Sequence, residues 1–257
     1  MRRYTIARLS AGDPFPPAKR ALPAGSPAPG LLAVGGALDV PTLRAAYSGG
    51  IFPWYDQSSG EDIMWWSTDP RMVLRPQHFR LHRSLRRAIA RLRATEGHEV
   101  RIDTAFDAVL HECATIPRPG QRGTWIGADM RRAYGALHRA GGAHSVEVWR
   151  EGQLVAGLYC VALGRAVFGE SMFTHVTDGS RIALAALVAF CLVQGAPLID
   201  CQQHTAHLAF MGGADMPRAQ FLREIQTLVQ QPDMHWHFED ADWAALLPAN
   251  NQQPAQP

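Results

Sequence analysis

One ten-residue stretch, LIDCQQHTAH from Leu198 to His207, brings together a carboxylate, a thiol, two carboxamides and two imidazoles. A zinc site requires three or four ligands. His204 and His207 could share a helix face, but no second Cys/His cluster accompanies them. A nucleophilic Cys201 would need a lowered pKa and a partnering histidine, whereas a buried cysteine is commonly an inert small hydrophobe. The pattern favours neither a metal site nor a thiol nucleophile.

A third interpretation follows from strand geometry. On a strand, Asp200 and Gln202 share one face and Cys201 points to the other. The Asp200 carboxylate can accept a hydrogen bond from the Gln202 amide NH2, which orients the amide and leaves its carbonyl free to hold an attacking amine. We therefore predict that Asp200 and Gln202 are the catalytic pair. The alternative, that both residues only terminate a strand, stays open.

The stretch FGESMF, residues 168–173, provides a second candidate. Alternation places Glu170 and Met172 on one strand face. An acid beside a methionine on a central strand is costly unless the acid meets a cation. A substrate ammonium group next to an apolar pocket would satisfy both residues. A structural ion pair between Glu170 and an arginine is the alternative.

The arginines are concentrated between Arg71 and Arg93, where eight occur without a single acid. Leu81, Leu85, Ile89 and Leu92 recur at helical spacing, which predicts an amphipathic helix. Its outer face would carry four arginines: Arg83, Arg86, Arg87 and Arg91. A surface of one charge sign favours a polyanionic partner such as RNA, although a solvated charged face would give the same pattern.

The elements that must position these residues form an α/β or α+β chain, with a mixed sheet flanked by helices. Asp39 can cap a short helix that ends at Gly49–Gly50. We place a boundary near Asp69–Pro70, after a small N-terminal domain of residues 1–68 whose first 30 residues are largely irregular. A larger domain covers 69–247, and residues 248–257 form a disordered tail. Strands are predicted at 98–103, 144–150, 153–163, 166–173 and 197–202, and helices at 105–114, 128–142, 181–195 and 218–230.

Composition limits the compartment and the class of protein. With 257 residues, 47% of them hydrophobic, the chain can bury a substantial core. It has no run of 18 apolar residues and no secretory signal pattern at its N-terminus, so we expect no membrane partner. The four cysteines lie far apart, in no CxxC pair. Such usage is typical of a reduced, cytoplasmic protein.

Six motifs together carry a resemblance to a known family. They are GLLAVGGALDVPTLRAAYSGGIFPWY, WWSTDPR, GTWI, HSVEVW, FGESMF and LIDCQ, in this order, between about Gly30 and Val229. The chain resembles the leucyl/phenylalanyl-tRNA–protein transferases. The resemblance implies a C-terminal domain related to the GCN5-type N-acyltransferases. It also implies transfer of Leu or Phe from aminoacyl-tRNA to an acceptor protein with N-terminal Arg or Lys, which marks that protein for the bacterial N-degron pathway. No metal or coenzyme is implied, and we expect a monomer.

The resemblance also assigns roles to individual residues. Trp54 and Trp125 match the tryptophans near the aminoacyl-adenosine end, and Glu170 matches the acid that holds the aminoacyl amino group. Asp200 and Gln202 match the pair at the reaction centre, and the four helix arginines lie in the region of the tRNA-binding cluster. The side-chain pocket falls on six residues: Leu158, Val167, Met172, Leu184, Leu187 and Ile199.

The chain departs from the family pattern at the pocket and after it. Leu158 and Val167 stand where methionine and phenylalanine are familiar. Phe210, in HLAFMGG, stands where a Ser-Leu-Gly run is common, so the role of this segment is open.

Two other classes of function remain as alternatives. An acyl-CoA-dependent N-acyltransferase would need a pyrophosphate-binding loop, which the link THVTDGSR lacks. A noncatalytic tRNA-binding module would explain the arginine helix but would leave Glu170, Asp200 and Gln202 without a task.

Overall fold

The computed structural model of the protein describes residues 4–56, 60–116 and 126–247. Trp125 and the predicted tail at 248–257 lie outside these residues. The first four described strands form a small sheet in the order β1-β2-β4-β3. Its strands are β1 (Ala7–Leu9), β2 (Leu31–Gly35), β3 (Phe52–Pro53) and β4 (Met64–Trp66). The short strand β1 lies within the segment that the sequence indicated as largely irregular.

A seven-stranded mixed sheet follows, in the order β11-β5-β10-β9-β8-β7-β6. Within the described part of this sheet, β9 and β10 are the one parallel pair, and the other neighbouring strands are antiparallel. Its strands are β5 (Arg71–Leu74), β6 (His98–Ile102), β7 (Ala143–Arg150), β8 (Gln153–Leu163), β9 (Ala166–Thr174), β10 (Ile199–Gln202) and β11 (Ala214–Met216).

Helices cover both faces of this sheet. The helices of the described chain are α1 (Val40–Ser48), α2 (Arg83–Ala94), α3 (Phe106–Thr115), α4 (Ala128–Arg139), α5 (Gly179–Gln194), α6 (Ala206–Phe210) and α7 (Arg218–Leu228). One core joins α1, α3, α4 and the small sheet to one face. A second core joins α2 and α5 to the other face. The predicted class, α/β with a mixed sheet flanked by helices, is confirmed.

The local signals account for most of these elements. The Asp39 carboxylate accepts a hydrogen bond from Thr42 N at 2.8 Å and caps α1, as predicted. In α2 the apolar stripe of Leu85, Ile89 and Leu92 is buried. Helix α5 is buried along most of its length, as expected for a helix that is apolar all round. No helix in the described part of the chain is long and apolar enough to cross a membrane.

The core crosses the predicted boundary near Asp69–Pro70. Tyr47 of α1 packs against Phe168 of β9, with ring centroids 5.1 Å apart. The small sheet ends at Trp66 and the large sheet begins at Arg71. The division into two domains stays a prediction.

Candidate active site

A cavity of about 440 Å³ lies beside the carboxyl ends of β9 and β10. These strands pair at only two positions, Ile199 with Val167 and Asp200 with Phe168. Residues of both strands beyond the last paired position line the cavity, together with residues of α5 and of the segment that contains α6. A cleft outside the carboxyl ends of strands is a common place for a ligand in an α/β sheet.

The structure brings most of the predicted site residues together. Eight of them line the cavity: Trp54, Leu158, Glu170, Met172, Leu184, Leu187, Ile199 and Gln202. Val167 does not. It is fully buried in the core, where it pairs with Ile199. Asp200 is also fully buried and outside the lining. Trp125 belongs to the residues that the structure does not describe.

Glu170 occupies a β-bulge. Tyr159 of β8 pairs with Ser171 and Cys160 pairs with Gly169, so Glu170 is the extra residue between them. A bulge interrupts the two-residue alternation and redirects a side chain. Glu170 and Met172 both line the cavity, but the simple alternation on which the sequence argument relied does not hold here.

Gln202 lies at a second irregularity, on the adjacent strand. The β10–β5 register shifts between Asp200 and Gln202, and Gln202 has a φ of 61°. Gln203 N donates to the Cys201 carbonyl at 2.7 Å across it, the pattern of a γ-turn with positive φ, which is rare and strained. The Thr68 hydroxyl, which donates to the Gln202 carbonyl at 2.8 Å, helps to hold this conformation. Such strain tends to be found at functional sites.

The predicted hydrogen bond between the Asp200 carboxylate and the Gln202 side chain is wrong. The Asp200 carboxylate instead accepts from Arg71 Nε at 2.8 Å and from Arg71 Nη2 at 2.6 Å, and both side chains are completely buried. Asp200 also accepts from the backbone N–H of Gln202 at 2.8 Å. Asp200 therefore neutralises a buried arginine and fixes the backbone of the Gln202 turn.

The Gln202 amide is oriented by Glu170. Its Nε2 donates to Glu170 Oε1 at 2.8 Å. Because the amide nitrogen is anchored in this way, the amide carbonyl can accept a hydrogen bond from a ligand. The function predicted for this carbonyl is thus compatible with the geometry, with a different carboxylate as the orienting group.

Two buried tyrosines complete the surroundings of Glu170. Tyr47 of α1 donates to Glu170 Oε1 at 2.7 Å, Tyr134 of α4 donates to Oε2 at 3.2 Å, and the two hydroxyls also contact each other. Burial and the Glu170 charge raise the pKa of both tyrosines well above the ordinary value, so they stay protonated. Sequence reasoning missed both residues, because a tyrosine in an amphipathic helix is most simply a core residue.

Burial raises the pKa of Glu170 to about 8, although the hydrogen bonds from Tyr47 and Tyr134 oppose the shift. No ion pair between Glu170 and an arginine is present among the described residues. The structural ion pair considered as an alternative is therefore absent there. An ionised carboxylate has about four acceptor positions. Tyr47, Tyr134 and Gln202 use three, which leaves one position on Oε2 for a ligand.

The surroundings of the thiol and of the imidazoles in the LIDCQQHTAH stretch favour neither a nucleophile nor a metal site. Cys201 lines the cavity beside Gln202 instead of pointing away from it, because the bulge breaks the alternation. Burial raises the pKa of the Cys201 thiol, which disfavours the reactive thiolate. His204 Nδ1 lies 3.2 Å from Asp215 Oδ1. The described residues contain no group of three or more His, Cys, Asp or Glu side chains placed to hold a metal ion.

The acid-free run of arginines separates into structural and surface groups. Arg71 is buried on Asp200, and Arg75 and Arg93 pair with Glu224 and Asp240. The predicted surface arginines of α2 are all exposed, and none has a carboxylate partner among the described residues: Arg83, Arg86, Arg87 and Arg91. The amphipathic helix is confirmed, and its role in RNA binding stays a prediction.

Comparisons with known proteins agree on one family. Residues 73–226 match the family model described as leucyl/phenylalanyl-tRNA protein transferase, and residues 36–69 match the model of its N-terminal domain. A leucyl/phenylalanyl-tRNA–protein transferase of Polaromonas sp. is 54% identical over 241 residues, which cover 94% of this chain and 94% of the relative. The protein of the same name from Albidiferax ferrireducens is 53% identical over 239 residues, 93% of each chain.

Solved structures similar to this chain are more distant. FemX has a TM-score of 0.41 and 11% identity, and the match covers 72% of this chain and 70% of FemX. A GCN5-related N-acetyltransferase from Kribbella flavida has a TM-score of 0.32 and 13% identity, with coverage of 68% and 60%.

Proposed function

Because the chain belongs to the leucyl/phenylalanyl-tRNA–protein transferase family, we propose that its cavity receives the aminoacylated 3′ end of a tRNA. The chain transfers Leu or Phe from that tRNA to the N-terminal Arg or Lys of an acceptor protein. The single observation that carries this proposal is the environment of Glu170. Its carboxylate accepts hydrogen bonds from two phenols and one amide, has one further acceptor position, and lines an otherwise largely apolar cavity.

The cavity offers three kinds of contact to an aminoacyl-adenosine. The Glu170 carboxylate binds the α-ammonium group. Leu158, Met172, Leu184, Leu187 and Ile199 supply an apolar wall for a Leu or Phe side chain. The Trp54 indole, 40% exposed, supports a role in stacking on the terminal base. Its position is stabilised by Trp66, whose Nε1 donates to the Trp54 carbonyl at 2.7 Å.

The reaction is aminolysis of an ester. The neutral α-amine of the acceptor attacks the ester carbonyl carbon, the new C–N bond forms, and the bond to the ribose oxygen breaks. The amine loses one proton, and the leaving ribose oxygen gains one. The Gln202 carbonyl holds the incoming N–H near the ester, while a ribose hydroxyl of the terminal adenosine relays the proton. An amide is not a strong base, so Gln202 acts chiefly by positioning the amine, as Glu170 and the apolar wall position the aminoacyl group.

Asp200 takes part in this scheme without contacting the substrates. It holds Arg71 and the backbone N–H of Gln202. We therefore assign Asp200 as a positioning residue for the Gln202 turn.

The finer partners follow from the family and from the chemistry of the site. The proposed acceptors are cytoplasmic proteins with N-terminal Arg or Lys, and the added Leu or Phe would mark them for the bacterial N-degron pathway. The exposed α2 arginines would bind tRNA phosphates. A monomer would suffice, because every group in the scheme belongs to one chain. We propose no metal or coenzyme.

The test is a transfer assay with labelled leucyl-tRNA and two peptides that differ only in N-terminal Arg or Asp. We expect label on the Arg peptide alone. Glu170→Gln keeps the shape of the side chain but loses the charge, so kcat/KM should fall about 10- to 100-fold, the range for a charge-assisted hydrogen bond. Glu99→Gln, an exposed control on β6, should retain wild-type transfer. Equal activity of the wild type and Glu170→Gln would contradict the assignment.

A further inference from the structure

Phe210 is half-exposed, with 50% of its surface accessible, although it is one of the larger apolar side chains. It is the last residue of α6. One face of its ring is covered by His82, with the ring centroids 4.0 Å apart and the planes 14° from parallel. His82 Nε2 also lies 3.1 Å from the Phe210 carbonyl oxygen. The stack therefore leaves an aromatic face available to solvent.

The stack is held firmly between α6 and the segment that leads into α2. Arg80 N donates to the Met211 carbonyl at 2.9 Å. Gly212 has a φ of 107°, and a Cβ at this position would lie 2.3 Å from the His78 carbonyl oxygen. The chain after α6 therefore passes directly against residues 78–80. The position of the Phe210 ring is set by backbone contacts as well as by the stack.

The stack lies between the cavity and the arginine helix. On one side, His82 is the N-cap residue of α2, and the exposed Arg83 and Arg86 follow it. On the other side, His207 and Leu208 of α6 line the cavity. Phe210 lies three residues after His207, a spacing at which helical side chains are neighbours about 5–6 Å apart. The aromatic face thus lies on the segment between residues that line the cavity and exposed arginines that have no carboxylate partner in the described part of the chain.

We propose that the free face of Phe210 is a stacking platform for the unpaired base that precedes the terminal adenosine of the tRNA. This inference rests on the proposed function, and it adds a second base-binding position outside the cavity. Single-stranded RNA is commonly bound by aromatic rings that stack on bases beside cations that hold the backbone. Arg83 and Arg86 supply the cations next to this ring.

The test compares two donors, leucyl-tRNA and leucyl-adenosine, the second of which lacks the preceding nucleotides. With leucyl-tRNA, Phe210→Ala should raise KM about tenfold, as expected for the loss of one stacked base, with little change in kcat. With leucyl-adenosine, Phe210→Ala should behave as wild type. Phe210→Trp should retain the wild-type KM for leucyl-tRNA. Val193→Ala, at a position on α5 with 49% exposure, is the matched control and should leave KM and kcat unchanged with both donors.

A direct binding measurement separates this inference from the proposed function. Phe210→Trp adds one indole to the seven tryptophans of the wild type. The quenching that the variant shows in excess of wild type should be larger with an unacylated RNA that ends in CCA than with adenosine alone. Preferential quenching in a protein that transfers no leucine would support base stacking on residue 210 and contradict only the proposed function.

Four results would overturn the platform. They are equal losses with both donors, no change with either donor, an increase in the KM of the acceptor peptide instead of the tRNA, and no preferential quenching by the RNA. If Phe210→Ala does not fold, Phe210→Leu provides the same comparison, because Leu keeps a large apolar side chain and removes the ring.

Discussion

At the scale of single residues, Glu170 determines what the cavity can bind. It is surrounded by Tyr47, Tyr134 and Gln202, all of which donate hydrogen bonds to it. These donors stabilise the ionised form, yet burial has the larger effect and raises the pKa to about 8. The empty site therefore holds a carboxyl group whose charge becomes favourable when a cation arrives. An ammonium group is the ligand that this environment suits best.

This pKa predicts how stability depends on pH. The carboxyl of Glu170 has a folded-state pKa of about 8 against an ordinary value of 4.5. Its contribution to stability is therefore fully present below about pH 4.5 and is lost as the pH rises through about 8. The Glu170→Gln variant has no titrating group at this position, so its stability does not decrease in this way as the pH rises. We expect the variant to gain about 2–4 kcal/mol relative to wild type between pH 5 and pH 9.

Denaturant unfolding at several pH values measures this difference. Glu99→Gln serves as the control, because it removes an exposed carboxylate from β6. A constant difference between Glu170→Gln and wild type across this range would show that Glu170 is ionised in the folded protein at neutral pH.

At the scale of elements, the buried Arg71–Asp200 pair joins β5 to β10 next to the Gln202 turn. Removal of one member of a buried ion pair leaves an uncompensated charge and costs about 3–5 kcal/mol. Asp200→Ala should therefore lose both stability and transfer. The double variant Arg71→Leu/Asp200→Ala should recover a part of the stability, while transfer stays low because the Gln202 turn has lost its anchor.

Urea unfolding and single-turnover transfer, measured on the same samples, test this coupling. Wild-type stability in Asp200→Ala, or wild-type transfer in the double variant, would contradict the positioning role.

The arginine helix α2 provides a second test at this scale. Arg86 and Arg87 are exposed without carboxylate partners in the described chain, whereas Arg93 pairs with Asp240. Each phosphate contact adds about one unit to the slope of log affinity against log salt. Arg86→Ala and Arg87→Ala should each weaken tRNA binding and reduce this slope by about one. Arg93→Ala is the matched control.

Filter binding of tRNA at several salt concentrations gives the slopes. If Arg93→Ala reduces the slope as much as Arg86→Ala, the division between structural and surface arginines is wrong.

At the scale of the whole molecule, most elements from β6 to α7 could be predicted, because alternation and helical spacing are local signals. The short α6 and β11 were not predicted. The strand β5 could not be predicted either. Its Arg71 is part of an acid-free run and indicates a surface cation, and only the distant Asp200 makes its burial possible. The bulges at Glu170 and Gln202 depend on pairing with other strands. Strict alternation, which the sequence analysis assumed for both side chains, is therefore interrupted at both positions.

The site itself divides in the same way. Glu170, Gln202 and most of the apolar wall were identifiable from motifs, because their residue types carry the chemistry. Tyr47 and Tyr134 were not, since their hydroxyls act only once α1 and α4 pack on one face of the sheet. Val167 was predicted as a pocket residue but is fully buried in the core beside its strand partner Ile199 and does not line the cavity.

The most direct test of the central claim is the structure of a complex with puromycin, which resembles an aminoacyl-adenosine. We expect its ammonium group within hydrogen-bond distance of Glu170 Oε2, with its aromatic side chain against Leu184 and Leu187 and its base near Trp54. Puromycin bound outside this cavity, or bound inside it with the ammonium away from Glu170, would contradict the account.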